Sequence, residues 1–309
     1  MDNLCHSLVG AALSGAGFRR RTGLATATMI IGANLPDVDA IVYVVRGGAT
    51  ALEFRRGWTH GVVAMVVLPV LLTVMMIWVG QARDARRARR RRPVGTPVIP
   101  SQLLVLAAIS IWTHPLFDLL NTYGVRLLMP FSSRWFYGDT LFIVDVWLWL
   151  LLGAGVYWSR RRRSVTPARR ALLAACIYIL VMFLSARGSR LVVLERWQAE
   201  HGSPPAALMV GPLPLTPLSR VVIVDAGDHY ETGRFSWLSP QTVTGGEYWP
   251  KRTDPAVRAA RESPPIRTLL TWSRFPYFDV VEQNGADRVT FTDLRFGRLV
   301  GETTVIVPH

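Results

Sequence analysis

Residues 60–92 read HGVVAMVVLPVLLTVMMIWVGQARDARRARRRR: a histidine, an unbroken apolar run from Gly61 to Gly80, then seven arginines between Arg83 and Arg92. The run has the length of a helix crossing a hydrocarbon core, about 17–25 residues. Short arginine-rich loops stay on the cytoplasmic side of a membrane. The stretch therefore predicts a span with a direction: histidine outside, arginines inside. Three further segments, Ser101–Leu120, Leu141–Trp158 and Ala171–Ala186, are apolar, of similar length, and bounded by charge or proline. Hydrophobic residues make up 50% of the 309, which is high for a soluble chain and puts membrane proteins first among the classes to test.

Charge supports the same division. The chain carries +14, but residues 1–186 hold +13 of it and residues 187–309 only +1. The basic runs are Arg19–Arg21, Arg83 to Arg92, and Arg160–Arg163 with Arg169 and Arg170. Placed in the cytoplasm, they send Gly61–Gly80 inward, Ser101–Leu120 outward, Leu141–Trp158 inward and Ala171–Ala186 outward. Everything after Arg187 is then extracytoplasmic. Leu8–Gly17 and Leu24–Leu35 are short for crossings and read as tilted or partly inserted hairpin helices. Contact with anionic membrane lipids follows from the arginines, whereas nucleic-acid binding is the weaker explanation for them. Cys5 and Cys176 are too few for a disulfide framework; Cys176 reads as a small core residue, and Cys5 as a minor ligand candidate. The N-terminus lacks a basic region before its first apolar stretch, so no cleaved signal peptide is expected.

Against this topology, His6, Asp37, Asp39, His60, His114 and Asp118 all fall at the outer end. Acids and histidines are costly inside a membrane, so such a cluster is a functional-site hypothesis by default. In Thr113-His114-Pro115-Leu116-Phe117-Asp118 the imidazole and carboxylate are four apart and share a helix face. Both can reach one cation; the plain alternative is a His–Asp hydrogen bond tying two helices together. In Asn34-Leu35-Pro36-Asp37-Val38-Asp39 the proline suits a helix stop that presents carboxylates on the turn beyond. Asp37 is the preferred ligand, and Asp39 a second ligand or a general base. In Arg55-Arg56-Gly57-Trp58-Thr59-His60, Thr59 reads as a helix cap and His60 as a first-turn residue facing the cluster. Arg55 and Arg56 lie outside against the charge bias; with Arg134, in Pro130-Phe131-Ser132-Ser133-Arg134-Trp135, they are candidates to hold an anionic group, because guanidinium groups bind phosphate bidentately. Headgroup snorkelling explains them equally well. Trp135, Phe136 and Tyr137 read as interfacial aromatics. Asp139 and the deeper Asp145 are candidates to orient the ligands from behind.

In this order, Met1-Asp2 with His6, then Asn-Leu-Pro-Asp-Val-Asp, Arg-Gly-Trp-Thr-His, Thr-His-Pro-Leu-Phe-Asp-Leu-Leu-Asn-Thr-Tyr-Gly and Pro-Phe-Ser-Ser-Arg-Trp resemble the YdjM-like family over roughly residues 1–150. The resemblance implies a bacterial inner-membrane, metal-dependent hydrolase with His6, Asp37, His60, His114 and Asp118 at the metal positions. It also implies distant similarity to zinc-dependent phospholipase C and the P1-type nucleases. Two positions depart from it: relatives often have histidine where this chain has Arg55, which removes a possible ligand of a second metal, and threonine where it has Cys5.

After Arg187 the sequence changes character. A helix from about 187 to 200 is followed by prolines at 204, 205, 212, 214 and 217 and by short β-type runs. Arg220–Asp225 with Tyr230–Trp237 reads as one hairpin, and Arg288–Leu294 with Leu299–Val307 as another. His201 and His229 read as surface residues. Trp272 to Phe278 is aromatic enough to rest on the membrane or cover the site.

The expected fold is mainly α, a multi-pass membrane helical bundle with a small C-terminal β-rich extracytoplasmic domain. The expected divisions are 1–186, a helix and linker at 187–204, and 205–309. The expected function is a membrane-bound, zinc-dependent hydrolase (one or more Zn²⁺) acting on a phosphate ester or lipid-type substrate, with Asp39 accepting a proton and Arg55, Arg56 and Arg134 holding the anion. The rival is a non-enzymatic, metal-stapled scaffold whose β domain binds a partner; a transporter ranks last, since the spans carry almost no polar residues below His114. Substrate, metal count and oligomeric state are not legible in the sequence.

Overall fold

The computed structural model describes residues 1–46, 48–239, 243–283, 285–297 and 302–308. Ten helices and seven strands are defined among them, in two compact units.

The first unit comprises Met1–Ala40 and Arg55–Phe183. It contains α1 (Asn3–Gly15), α2 (Ala25–Asn34), α5 (Ala64–Arg89), α6 (Pro100–Leu119), α7 (Val146–Arg161) and the beginning of α8 (Thr166–His201). Three of these helices, α5, α6 and α8, are long and apolar enough to cross a membrane. The fourth expected span, Leu141–Trp158, is helical only from Val146, as the 16-residue α7. Asp145 ends it: its carboxylate accepts from Leu148 N at 3.0 Å, which is an N-cap that fixes the first turn. Val66, Val70, Leu71, Val74 and Trp78 on α5 and Leu173, Ile177, Leu180 and Val181 on α8 are exposed apolar side chains, as a lipid-facing surface requires. Cys176 faces outward with them rather than into the core, a correction to its reading as a core residue.

Helix α2 lies between α1 and α6, and glycine permits the approach. A Cβ on Gly10 would strike the carbonyl of Met29, and one on Gly32 the Ser110 hydroxyl. Met1, Cys5, Val9 and Ala12 of the N-terminal segment pack on Leu148, Leu152, Ala175 and Met182. On the other side Leu72 and Met76 of α5 pack on Leu103, Ala107 and Ile111 of α6.

The second unit comprises Ile41–Phe54 and Leu184–His309. Its first piece is an excursion of two short helices, α3 (Ile41–Arg46) and α4 (Gly48–Phe54). Its remainder begins within α8, which runs unbroken through the expected boundary at 186 because no proline or glycine pair interrupts it; the sequence shows only a change of charge there. Strands β1 (Ala207–Leu213), β2 (Thr216–Asp225), β3 (Tyr230–Ser236) and β4 (Val243–Tyr248) form one antiparallel sheet in that order. After α9 (Pro255–Glu262) and α10 (Pro264–Trp272), strands β5 (Pro276–Gln283), β6 (Ala286–Asp293) and β7 (Thr303–Pro308) form a second. The first expected hairpin is β2–β3, with Asp225 opposite Tyr230. The second is β6–β7; residues 299–301 of its expected last strand lie outside the described residues. Val193 and Trp197 of α8 pack against Leu208, Val210, Val222, Val224 and Phe235. Trp272, Phe275 and Phe278 are core residues of this unit, not an exposed aromatic surface: Trp272 is stacked on Phe296, with the Arg295 guanidinium 4.5 Å from its ring.

Candidate metal centre

Helix α6 supplies the centre's fixed pair. His114 and Asp118 are four residues apart on one face and fully buried, with His114 Nε2 3.4 Å from Asp118 Oδ2. Pro115 lies between them without ending the helix. Asp37 arrives from the 3₁₀ turn Leu35–Ala40 that terminates α2, as the proline at 36 implied. His60 lies in the turn that begins at Gly57, whose carbonyl accepts from His60 N at 3.0 Å, four residues ahead of α5 rather than in its first turn. One ligand atom from each of Asp37, His60, His114 and Asp118 lies within 4.8 Å of all the others, and all four residues are buried.

The hydrogen bonds behind the rings set which imidazole nitrogens face inward. His114 Nδ1 is 2.6 Å from the Ala33 carbonyl, which only accepts, so Nδ1 carries a proton. Thr59 Oγ1 must donate to the Asp39 carboxylate, 3.1 Å away, and therefore accepts from His60 Nδ1 at 2.9 Å. Both Nε2 atoms are thereby turned toward each other, 3.1 Å apart, and at most one proton fits between them. His60 lies outside the spans, and burial lowers its pKa, favouring the neutral ring. Around these nitrogens, Asp37 Oδ1, Asp118 Oδ2 and His6 Nε2 are buried without a hydrogen-bond partner. Native proteins seldom leave such groups unpaired. Two imidazole nitrogens with two carboxylate oxygens are a donor set that suits zinc.

His6 is within α1, not ahead of it, and the helix is capped by Asp2. Its ring stacks on His114 with centroids 3.7 Å apart, and its Nε2 is 3.5 Å from Asp118 Oδ1. It adjoins the four-residue group without being one of its members. The Met1 nitrogen also contacts Asp118 Oδ1.

The carboxylate of Asp39 is already committed. Its Oδ1 accepts from Arg55 Nη1 at 2.7 Å, and its Oδ2 from Arg56 N at 2.7 Å and from Thr59. Both of its oxygens are thus engaged by donors of the chain itself, which does not favour the reading of Asp39 as general base. Arg56 is engaged as well. Its guanidinium is buried, 3.3 Å from Asp118 Oδ1, bonded to Asn121 Oδ1 and the Gly124 carbonyl, and 4.6 Å from the Tyr123 ring centroid. It pairs with Asp118 and is buried, not presented at the surface. Arg55 approaches both Asp39 and Asp37, the latter at 3.3 Å without hydrogen-bond geometry. Burial opposes ionisation of Asp37, but His114 and Arg55 outweigh it and hold that carboxyl well below the usual range. Arg134 is exposed on the loop after α6, its guanidinium 5.4 Å from the Phe136 ring. Asp145 caps α7 and accepts from the Tyr178 hydroxyl at 3.0 Å, a structural place rather than one behind the ligands. Asp139, in a left-handed backbone conformation, is half-buried in the loop before α7.

Sequence reading missed the parts that hold the ligands still. Thr59 bridges His60 to Asp39 instead of capping a helix, and Asn121 gathers Arg56, Tyr123 N and Gly124 N on one oxygen. Arg126 donates to the Arg55 carbonyl and lies over Trp135, which is buried and so not an interfacial aromatic. Cys5 lies in the core and is not a ligand.

The profile of the family described as YdjM inner membrane protein matches residues 1–189. This chain belongs to the YdjM inner-membrane family. The uncharacterized protein YfhP of Bacillus subtilis (strain 168) is 23% identical over 143 residues, which span 44% of this chain and 39% of that protein. No solved structure matches. As a YdjM-family member with three apolar helices of spanning length, the chain is a multi-pass inner-membrane protein with a β-rich extracytoplasmic domain.

Proposed function

We propose that the chain is a membrane-bound metal-dependent hydrolase, with zinc held by Asp37, His60, His114 and Asp118 and His6 beside them, acting on a phosphate ester or lipid-type substrate at the outer surface of the inner membrane. The observation that carries this reading is the meeting of four ligand atoms, two imidazole nitrogens and two carboxylate oxygens, with at most one proton among them. When bound, zinc supplies Lewis acidity toward an ester and acidifies water near neutral pH. The chain's own residues fix the donors. The Ala33 carbonyl and Thr59 hold both imidazoles in the tautomer that presents Nε2, Arg56 neutralises one carboxylate, and burial keeps bulk water away. The distant likeness to zinc-dependent phospholipase C and P1-type nucleases rests on this type of donor set and on a helical scaffold, so the phosphate-ester substrate is an analogy of site. Arg134, exposed on the outer loop, is the proposed contact for an anionic headgroup.

The full burial of His114 and Asp118 also suits a structural metal, which favours the scaffold as second reading. Metal analysis of purified protein and assays on phospholipid and phosphodiester substrates separate the two. About one zinc per chain, lost in His114→Ala together with hydrolysis, supports the hydrolase. Zinc bound with no hydrolysis across those substrates supports the scaffold, and a metal content near zero in both proteins rejects the metal centre.

A further inference from the structure

We propose that Arg55 is a resident cation of this centre, filling the position between Asp37 and Asp39 that a second metal ion would take and so limiting the site to one ion. The proposal rests on the metal reading above. Its geometry is direct: one nitrogen, Nη1, lies 2.7 Å from Asp39 Oδ1 and 3.3 Å from Asp37 Oδ1, and the Arg55 side chain is 18% exposed against 4% for each acid. Two carboxylates buried so close together repel each other unless a positive charge stands between them. An arginine serves that purpose at any pH because it does not deprotonate.

The charge count points the same way. Asp37, Asp39 and Asp118 are three negative side chains, and they already contact Arg55, Arg56 and the Met1 nitrogen. With these cations in place, each further divalent ion adds buried positive charge, and a second doubles the amount, which a desolvated site resists. Nor is the Asp39 carboxylate left for it. Asp39 Oδ2 is taken by Arg56 N and Thr59, Asp39 Oδ1 by Arg55, and Asp118 Oδ1 by Arg56 and the Met1 nitrogen. The unpaired oxygens, Asp37 Oδ1 and Asp118 Oδ2, are those that face the first ion. Neutralising Arg55 frees Asp39 Oδ1 beside Asp37 Oδ1, an oxygen that two ions could then share, and such a carboxylate pair is the chemistry that draws a hard or borderline divalent cation.

The test is metal stoichiometry of the full-length protein in detergent, saturated with Zn²⁺ alone, freed of unbound ion and measured by plasma mass spectrometry, with circular dichroism confirming the fold. Wild type and Arg55→Lys are expected to hold about one ion and Arg55→Gln about two. The double variant Arg55→Gln/Asp39→Asn is expected to return to about one, which locates the second ion at Asp39; Arg55→Met replaces Arg55→Gln if the latter fails to fold. A count of one in the neutral variants overturns the proposal, and so does a count of two in wild type, while both leave the metal reading intact. A wild-type count near zero is a failure of the metal reading itself.

Discussion

His229 and Asp228 are neighbours in the β2–β3 turn, with Nδ1 2.7 Å from the carboxylate, whereas His114 and Asp118 sit a helical turn apart with 3.4 Å between their facing atoms. The closer pair is the ordinary one. His229 has Asp228 on one nitrogen and Glu231 3.5 Å from the other, so its ring is satisfied by protons, and the first of these contacts raises its pKa. His114 spends its outer nitrogen on the Ala33 carbonyl and turns the inner one toward another imidazole and two carboxylates. A ligand set is therefore distinguished by the acceptor behind the ring and by burial, and not by how near an acid lies.

Asp118→Ala is the most severe way to break the buried side of this contrast. It removes a ligand and strands Arg56 without its counter-charge, and breaking a buried pair of this kind costs about 3–5 kcal/mol. Thermal unfolding in detergent should show a large loss, even without added metal; an unchanged midpoint would mean that Arg56 does not depend on Asp118. Metal removal comes next. At a free zinc concentration a hundredfold above Kd, bound metal contributes about 2.7 kcal/mol, so a chelator should lower the midpoint of the wild type and leave that of His114→Ala where it was. Thr59→Val is subtler, because it keeps every ligand and removes only the hydroxyl that orients His60. The expected loss is about 10–100-fold in zinc affinity, read by competition with a chromogenic chelator; retained affinity would show that the tautomer is set elsewhere.

The smallest effect belongs to the pair in the β2–β3 turn. Because the folded-state pKa of His229 is raised above 6.5, its contribution to stability is fully present below that pH and fades as pH rises through the folded value. His229→Gln should flatten this slight dependence without altering zinc content. A change in zinc content on that substitution would undo the contrast altogether.

The parts of the site legible in sequence are those whose geometry is local. The spacing of His114 and Asp118 needs only a helix, and Pro36 announces the turn that carries Asp37. Arg56 was illegible because its partners, Asp118, Asn121 and Gly124, come from a region more than sixty residues away; in the sequence it is only a charge on an outer loop. The engagement of Asp39 was illegible for a related reason. Its donors include a backbone N–H and a hydroxyl, neither of which stands out in a string of letters. In the fold, arginine runs and apolar lengths announced the spans and short β-type runs the hairpins. The unbroken α8 did not show itself, because a change in charge leaves no mark on helical backbone.

The excursion Ile41–Phe54 divides the ligands by chain position. Asp37 precedes it, and His60, His114 and Asp118 follow it, while the Asp39–Arg55 contact closes its two ends like a clasp. One proteolytic cut within it would convert an intramolecular centre into an intermolecular one. Two fragments would then have to find each other to complete it, and metal occupancy would come to depend on the fragments' concentration instead of on the fold alone.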